Sequence, residues 1–120
     1  MIDKIKFHAI LNRRRELEQD CDEEITRTEE CWKDLSDLLS MDISSSIEFM
    51  MSPECTQDDF SMISEVFDDI ARNTQSTEFI NCLKTLADRY PEDAEKYNYA
   101  GCISFAECAL IEKKQHGNKH

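Results

Sequence analysis

The sequence predicts an all-α fold, a single compact domain at 1–113 built from about five helices, followed by a flexible polar tail at 114–120. Gly and Pro occur only twice each in 120 residues, so tight turns are few. Valine occurs once, at Val66, whereas Ala, Leu, Glu, Lys and Met are plentiful, a balance that favours helix over sheet. Apolar residues also recur at helical spacing almost to the C-terminus, which disorder would not produce.

The first segment, 3–39, places Ile10, Leu17, Cys21, Ile25, Trp32, Leu35 and Leu39 along one stripe, with Thr28 filling its gap. One helix of that length is long for a small domain, so a break near 13–15 or near 26–28 is expected. Asp42 reads as the cap of a short helix carrying Ile43, Ile47, Met50 and Met51, ended by Pro53, which pushes Ser52 out of the helical region. Thr56 caps the next helix. Asp58 and Asp59 lie in its first turn, and Phe60, Ile63, Phe67 and Ile70 form its buried face up to Asn73.

Ser76 or Thr77 caps a fourth helix with Phe79, Leu83, Leu86 and Tyr90 inward. Pro91 closes it and suits the first turn of a fifth, 91–112. That last helix has two apolar faces, one of Ala94, Tyr97, Gly101, Phe105, Cys108 and Ile111, the other of Tyr99, Ile103, Ala106 and Leu110. Two such faces imply a central helix packed between neighbours. Gly101 suits either a close helix approach or a local kink. The helix–loop–helix unit at 76–112 resembles one element of a helical hairpin or solenoid repeat.

Several chemistries fail on spacing. Asp20-Cys21-Asp22-Glu23-Glu24 opens like a calcium loop, but Ile25 stands where the turn needs Gly and Cys31 where it needs a bidentate acid. The six cysteines include no pair at zinc-ligand spacing, and His8, His116 and His120 sit near the ends. No Gly-rich loop is present to cradle phosphate. Asp58/Asp59 and Asp68/Asp69 are neighbours that diverge by about 100° on a helix, unlike an acid–base pair facing across a site. No enzyme activity, metal or cofactor is therefore expected.

The N-terminus lacks the unbroken apolar run of a secretory signal, and no stretch of 18 apolar residues spans a membrane. A cytoplasmic location and free thiols follow as expectations. The net charge of −12 repels nucleic acid phosphate and anionic membranes.

What charge does point to is a basic protein partner. Residues 1–15 carry Lys4, Lys6, Arg13, Arg14 and Arg15 against Asp3, and 113–120 add three lysines, while 16–112 hold 25 acids against six bases. Acids this dense repel one another, so capture of a cationic surface would give them a use. Glu16, Asp20, Glu23, Glu30 and Asp34 fall on one side of the apolar stripe and are the first candidate partner-binding residues; Asp68 and Asp69 are the second. Glu18, Asp22 and Glu29 flank the other edge. Trp32 lies on the stripe as a core residue, or as a partner anchor if it sits at a rim.

A small, acidic, all-helical chain of this kind resembles the immunity proteins paired with bacterial toxins, including those of contact-dependent inhibition systems. The local likeness runs from Phe79-Ile80-Asn81-Cys82-Leu83-Lys84-Thr85-Leu86 through Tyr90-Pro91-Glu92 into 97–110. The resemblance implies a cationic nuclease toxin as partner, held one-to-one over its active site. The alternative is a helical adaptor or chaperone-like module that binds an apolar helix in a groove.

Overall fold

A computed structural model describes the backbone of residues 2–19 and 25–117 and the side chains of 2–17 and 27–110. Eight α-helices and one 3₁₀ turn make up the described chain, and it contains no strand. The all-α expectation holds, with more helices than the five expected because three of the expected segments divide, those at 3–39, 56–73 and 91–112.

The first division gives α1 (Lys4–Gln19) and α2 (Ile25–Ser40), and both places where a break was expected, 13–15 and 26–28, are helical instead. Asp3 starts α1 by accepting from the Lys6 amide at 3.0 Å. Its buried residues are Phe7, Ile10, Leu11 and Leu17; Phe7 and Leu11 belong to the core although the long stripe left them out. On α2, Thr28, Cys31, Leu35, Leu38 and Leu39 turn inward and Trp32 is half-buried.

Local chemistry sets the next boundaries. Asp42 caps α3 (Ile43–Met51), accepting from the Ser45 amide, and Ser52 terminates it in an extended conformation before Pro53. Ser46, fully buried, donates its hydroxyl to the Leu39 carbonyl at 2.7 Å and ties α3 to the end of α2. Phe49 rather than Met51 faces the core, packing edge-on to Phe7 at 4.9 Å.

Thr56 and Asp59 form a reciprocal capping box at the start of α4 (Gln57–Ile63). The second division falls next: a 3₁₀ turn, Ser64–Val66, splits the single helix expected as far as Asn73 and leads without a loop into α5 (Phe67–Thr74). Gln75 ends α5 in the left-handed region at φ 53°, and its carboxamide donates to the carbonyls of Ala71, Arg72 and Ala109. That one side chain closes α5 and fastens it to the last helix.

Ser76 caps α6 (Thr77–Arg89), and Pro91 opens α7 (Pro91–Lys96). The third division falls here. Asn98 adopts φ 53°, so the expected helix 91–112 splits into α7 and α8 (Tyr99–Gly117). Asn98 also accepts from the Gly101 amide at 3.3 Å, and a Cβ at 101 would collide with its carboxamide. Gly101 therefore serves a cap, not a helix crossing. The polar tail expected at 114–120 is helical as far as Gly117, and 118–120 lie outside the described residues.

Only one of the two apolar faces expected on α8 is buried. Tyr99, Ile103, Ala106 and Ala109 enter the core, mainly against α5 and α6, whereas Tyr97, Phe105 and Cys108 are exposed. Around Tyr99 the rings of Phe60, Phe67 and Phe79 form an aromatic centre, with Phe60 and Tyr99 edge-to-face at 5.2 Å. Five described cysteines carry free thiols. Burial pushes the Cys55 thiol up to about 12 and the Cys82 thiol to about 11, keeping both protonated and inert.

Asp59 is the buried polar pivot of the N-terminal half: 4% exposed, it accepts from the Thr56 amide and pairs with Arg15 at 3.1 Å. Thr56→Ala should cost about 1 kcal/mol. Asp59→Ala should cost about 2–3 kcal/mol because it also strips a half-buried guanidinium of a partner. Urea unfolding of the two variants measures this, and equal losses would contradict the ranking.

Candidate functional site

The three consecutive arginines near the end of α1 are not a free cationic patch. Successive residues on a helix point about 100° apart, so each reaches a different element. Arg13 pairs with Asp34 of α2 at 2.6 Å and donates to the Cys31 sulfur at 3.1 Å. Arg14 makes a two-pronged contact with Glu65 of the 3₁₀ turn, both prongs at 3.0 Å. Arg15 reaches Asp58 and Asp59 at the start of α4. Lys4 pairs with Glu54 as well. Four of the five N-terminal cations are therefore paired within the chain, and Lys6 stays exposed.

This rearranges the expected acidic stripe. Asp34 is tied up by Arg13. Glu16 and Glu30 meet across a cleft of about 410 Å³ between α1 and α2, but they share it with Arg13, Arg27 and Leu17, so its charge is mixed. Asp20 and Glu23 lie outside the described residues. Asp68 is half-buried on α5, next to Asp69.

The opposite edge of α2 is more coherent. Glu29, Trp32, Lys33, Ser36 and Asp37 of α2 face Asp69 and Asn73 of α5 across a groove of about 380 Å³, three acids to one base. Here Trp32 sits at the rim between helices. Its indole Nε1 donates to Glu65 at 3.0 Å, and Arg14 holds that same carboxylate. The ring is thus fixed before any partner arrives. Among the described residues Glu29 has no ion pair, Asp37 has Lys33 four residues back, and Asp69 has Arg72 three residues on. Exposed pairs of that sort are weak and exchange readily for a partner's cation. Burial, then the neighbouring Asp68, raises the Asp69 carboxyl above its ordinary value despite Arg72.

Of the residues singled out from sequence, this groove collects Trp32 and Asp69. Of its other acids, Glu29 was readable only as the flank of the stripe, and Asp37 was not singled out. Glu65 had no sequence signal, since it lies 51 residues from Arg14. Among the described residues no group of three or more His, Cys, Asp or Glu is placed to hold a metal, and no helix is long and apolar enough to cross a membrane. No family model matches the chain, and neither a curated protein nor a solved structure is found to be similar to it.

Two outcomes follow from this geometry. Arg14→Gln should lower stability by about 1.5 kcal/mol, the scale of a charge-assisted contact. It should also shift the emission of Trp32, the single tryptophan, to longer wavelength as Glu65 loosens; an unchanged spectrum would contradict the link. For Asp69, a raised folded pKa means that the folded protein holds the proton more tightly than the unfolded chain. Ionised Asp69 therefore weakens the fold above that pKa, and the penalty vanishes as pH falls through it. Asp69→Asn should raise the urea midpoint near pH 7, with the gain gone near pH 3; a gain that persists in acid would refute the assignment.

Proposed function

We propose that this chain is a non-enzymatic immunity protein that binds a basic protein, a cationic nuclease toxin domain, and blocks its active site. The observation that carries the reading is the division of charge. The N-terminal cations other than Lys6 are spent on pairs within the chain, while Glu29, Asp37 and Asp69 line a groove around a pre-set Trp32. A nuclease surface is basic because it must hold phosphate, so an acidic groove with an aromatic anchor is its complement. Lysine or arginine of the partner would replace Lys33 and Arg72 as counter-ions, and the indole would pack against its alkyl stem or guanidinium.

The adaptor reading draws on a different place, an apolar groove between α6, α7 and α8. The two differ in their response to salt. Titrating the full chain against a basic nuclease domain encoded beside it should abolish nuclease activity at equimolar inhibitor. Association should slow at least tenfold between roughly 0.05 and 0.5 M salt, as screening shortens the reach of the field. Trp32→Ala should raise the dissociation rate, costing about 2 kcal/mol of affinity. Charge reversal at Glu29 and Asp69 that leaves both rates unchanged would sink this choice of face.

A further inference from the structure

The groove between α6, α7 and α8 has the chemistry of a second docking site. Its volume is about 500 Å³, and its floor is Ala87 of α6, Ala94 of α7, and Ala100 and Ile103 of α8. Three alanines on three helices leave the backbones close to the surface, so a wide, shallow, apolar trough results. Lys84 of α6 and Glu107 of α8 pair across it at 3.4 Å. Asp88 and Glu95 also line it, and neither side chain has a partner among the described residues. The rim is thus neutral where Lys84 meets Glu107 and anionic at Asp88 and Glu95.

We propose that this groove takes a cationic amphipathic helix of the partner protein, its apolar face on the alanine floor and a lysine or arginine beside Asp88 and Glu95. The charge selects the occupant. A second copy of this chain, itself carrying −12, would set acid against acid, and an anionic lipid surface would be repelled. The described chain offers no strand edge to extend, so side-chain packing rather than backbone pairing must hold the occupant, and helix-in-groove binding does that. The inference extends the basic-partner reading but rests on different residues from the Trp32 groove.

The test uses the full chain and a synthetic helix of about 14 residues, roughly four turns, with Leu and Ala on one face and Lys along its borders. The amides of residues 87, 94, 100 and 103 should shift in NMR titration. Ala100→Trp, at an exposed position, should weaken binding about tenfold by filling the trough. The pair Asp88→Lys and Glu95→Lys should do the same, while Trp32→Ala and Asp69→Asn change it less than about twofold. Equal binding of a peptide with the same composition but scrambled faces would overturn the proposal, as would full affinity in Ala100→Trp. Groove binding by the peptide together with an uninhibited nuclease would leave this inference standing and remove only the toxin reading.

Discussion

The structure depends on how α1 is held. Three consecutive arginines at 100° steps fasten one helix to three others: Arg13 to α2, Arg14 to the 3₁₀ turn and Arg15 to the start of α4. Apolar burial, from Phe7 against Phe49 to the rings around Tyr99, supplies most of the driving force and has no preferred rotation of its own. The ion pairs supply direction. Arg14 is the strongest of them, because its side chain is only 12% exposed and its two prongs fit one carboxylate. Arg13 and Asp34 are about half exposed, and their pair contributes less.

That arrangement explains which features could be read from the sequence. The caps at Asp42, Thr56 and Ser76 and the Pro91 start all rest on contacts within three residues, so spacing alone identifies them. The breaks were harder. Asn98 enters the left-handed region without glycine, at a point where apolar periodicity continues, and the pattern therefore reads as one helix. Periodicity also overstated α8: Phe105 and Cys108 lie on one face at correct spacing, yet both are exposed. A stripe records what a helix could bury, and the supply of neighbours decides what it does bury.

The candidate site was half legible for the same reason. Helical angles sort the acids of α2 onto two edges of the apolar stripe, but which edge meets cations depends on what packs beside each. Glu30 and Asp34 face α1, where Arg13 waits; Glu29 and Asp37 face α5, which brings Asp69. The larger count of acids marked the first edge, and the fold largely neutralises it. Pairs such as Arg14–Glu65, far apart in sequence, leave no local trace.

Electrostatics and anchoring do separate work in such a surface, and here one network serves both. A net charge of −12 raises the rate at which a cationic protein arrives, but it does little to hold it. Residence depends on side chains that bury area without having to be ordered first. Trp32 meets that condition because Glu65 grips its indole nitrogen, and Glu65 is itself gripped by Arg14. The guanidinium that orients α1 in the fold therefore also orients the proposed anchor. An arginine removed from the surface charge count returns as preorganisation of the site beside it.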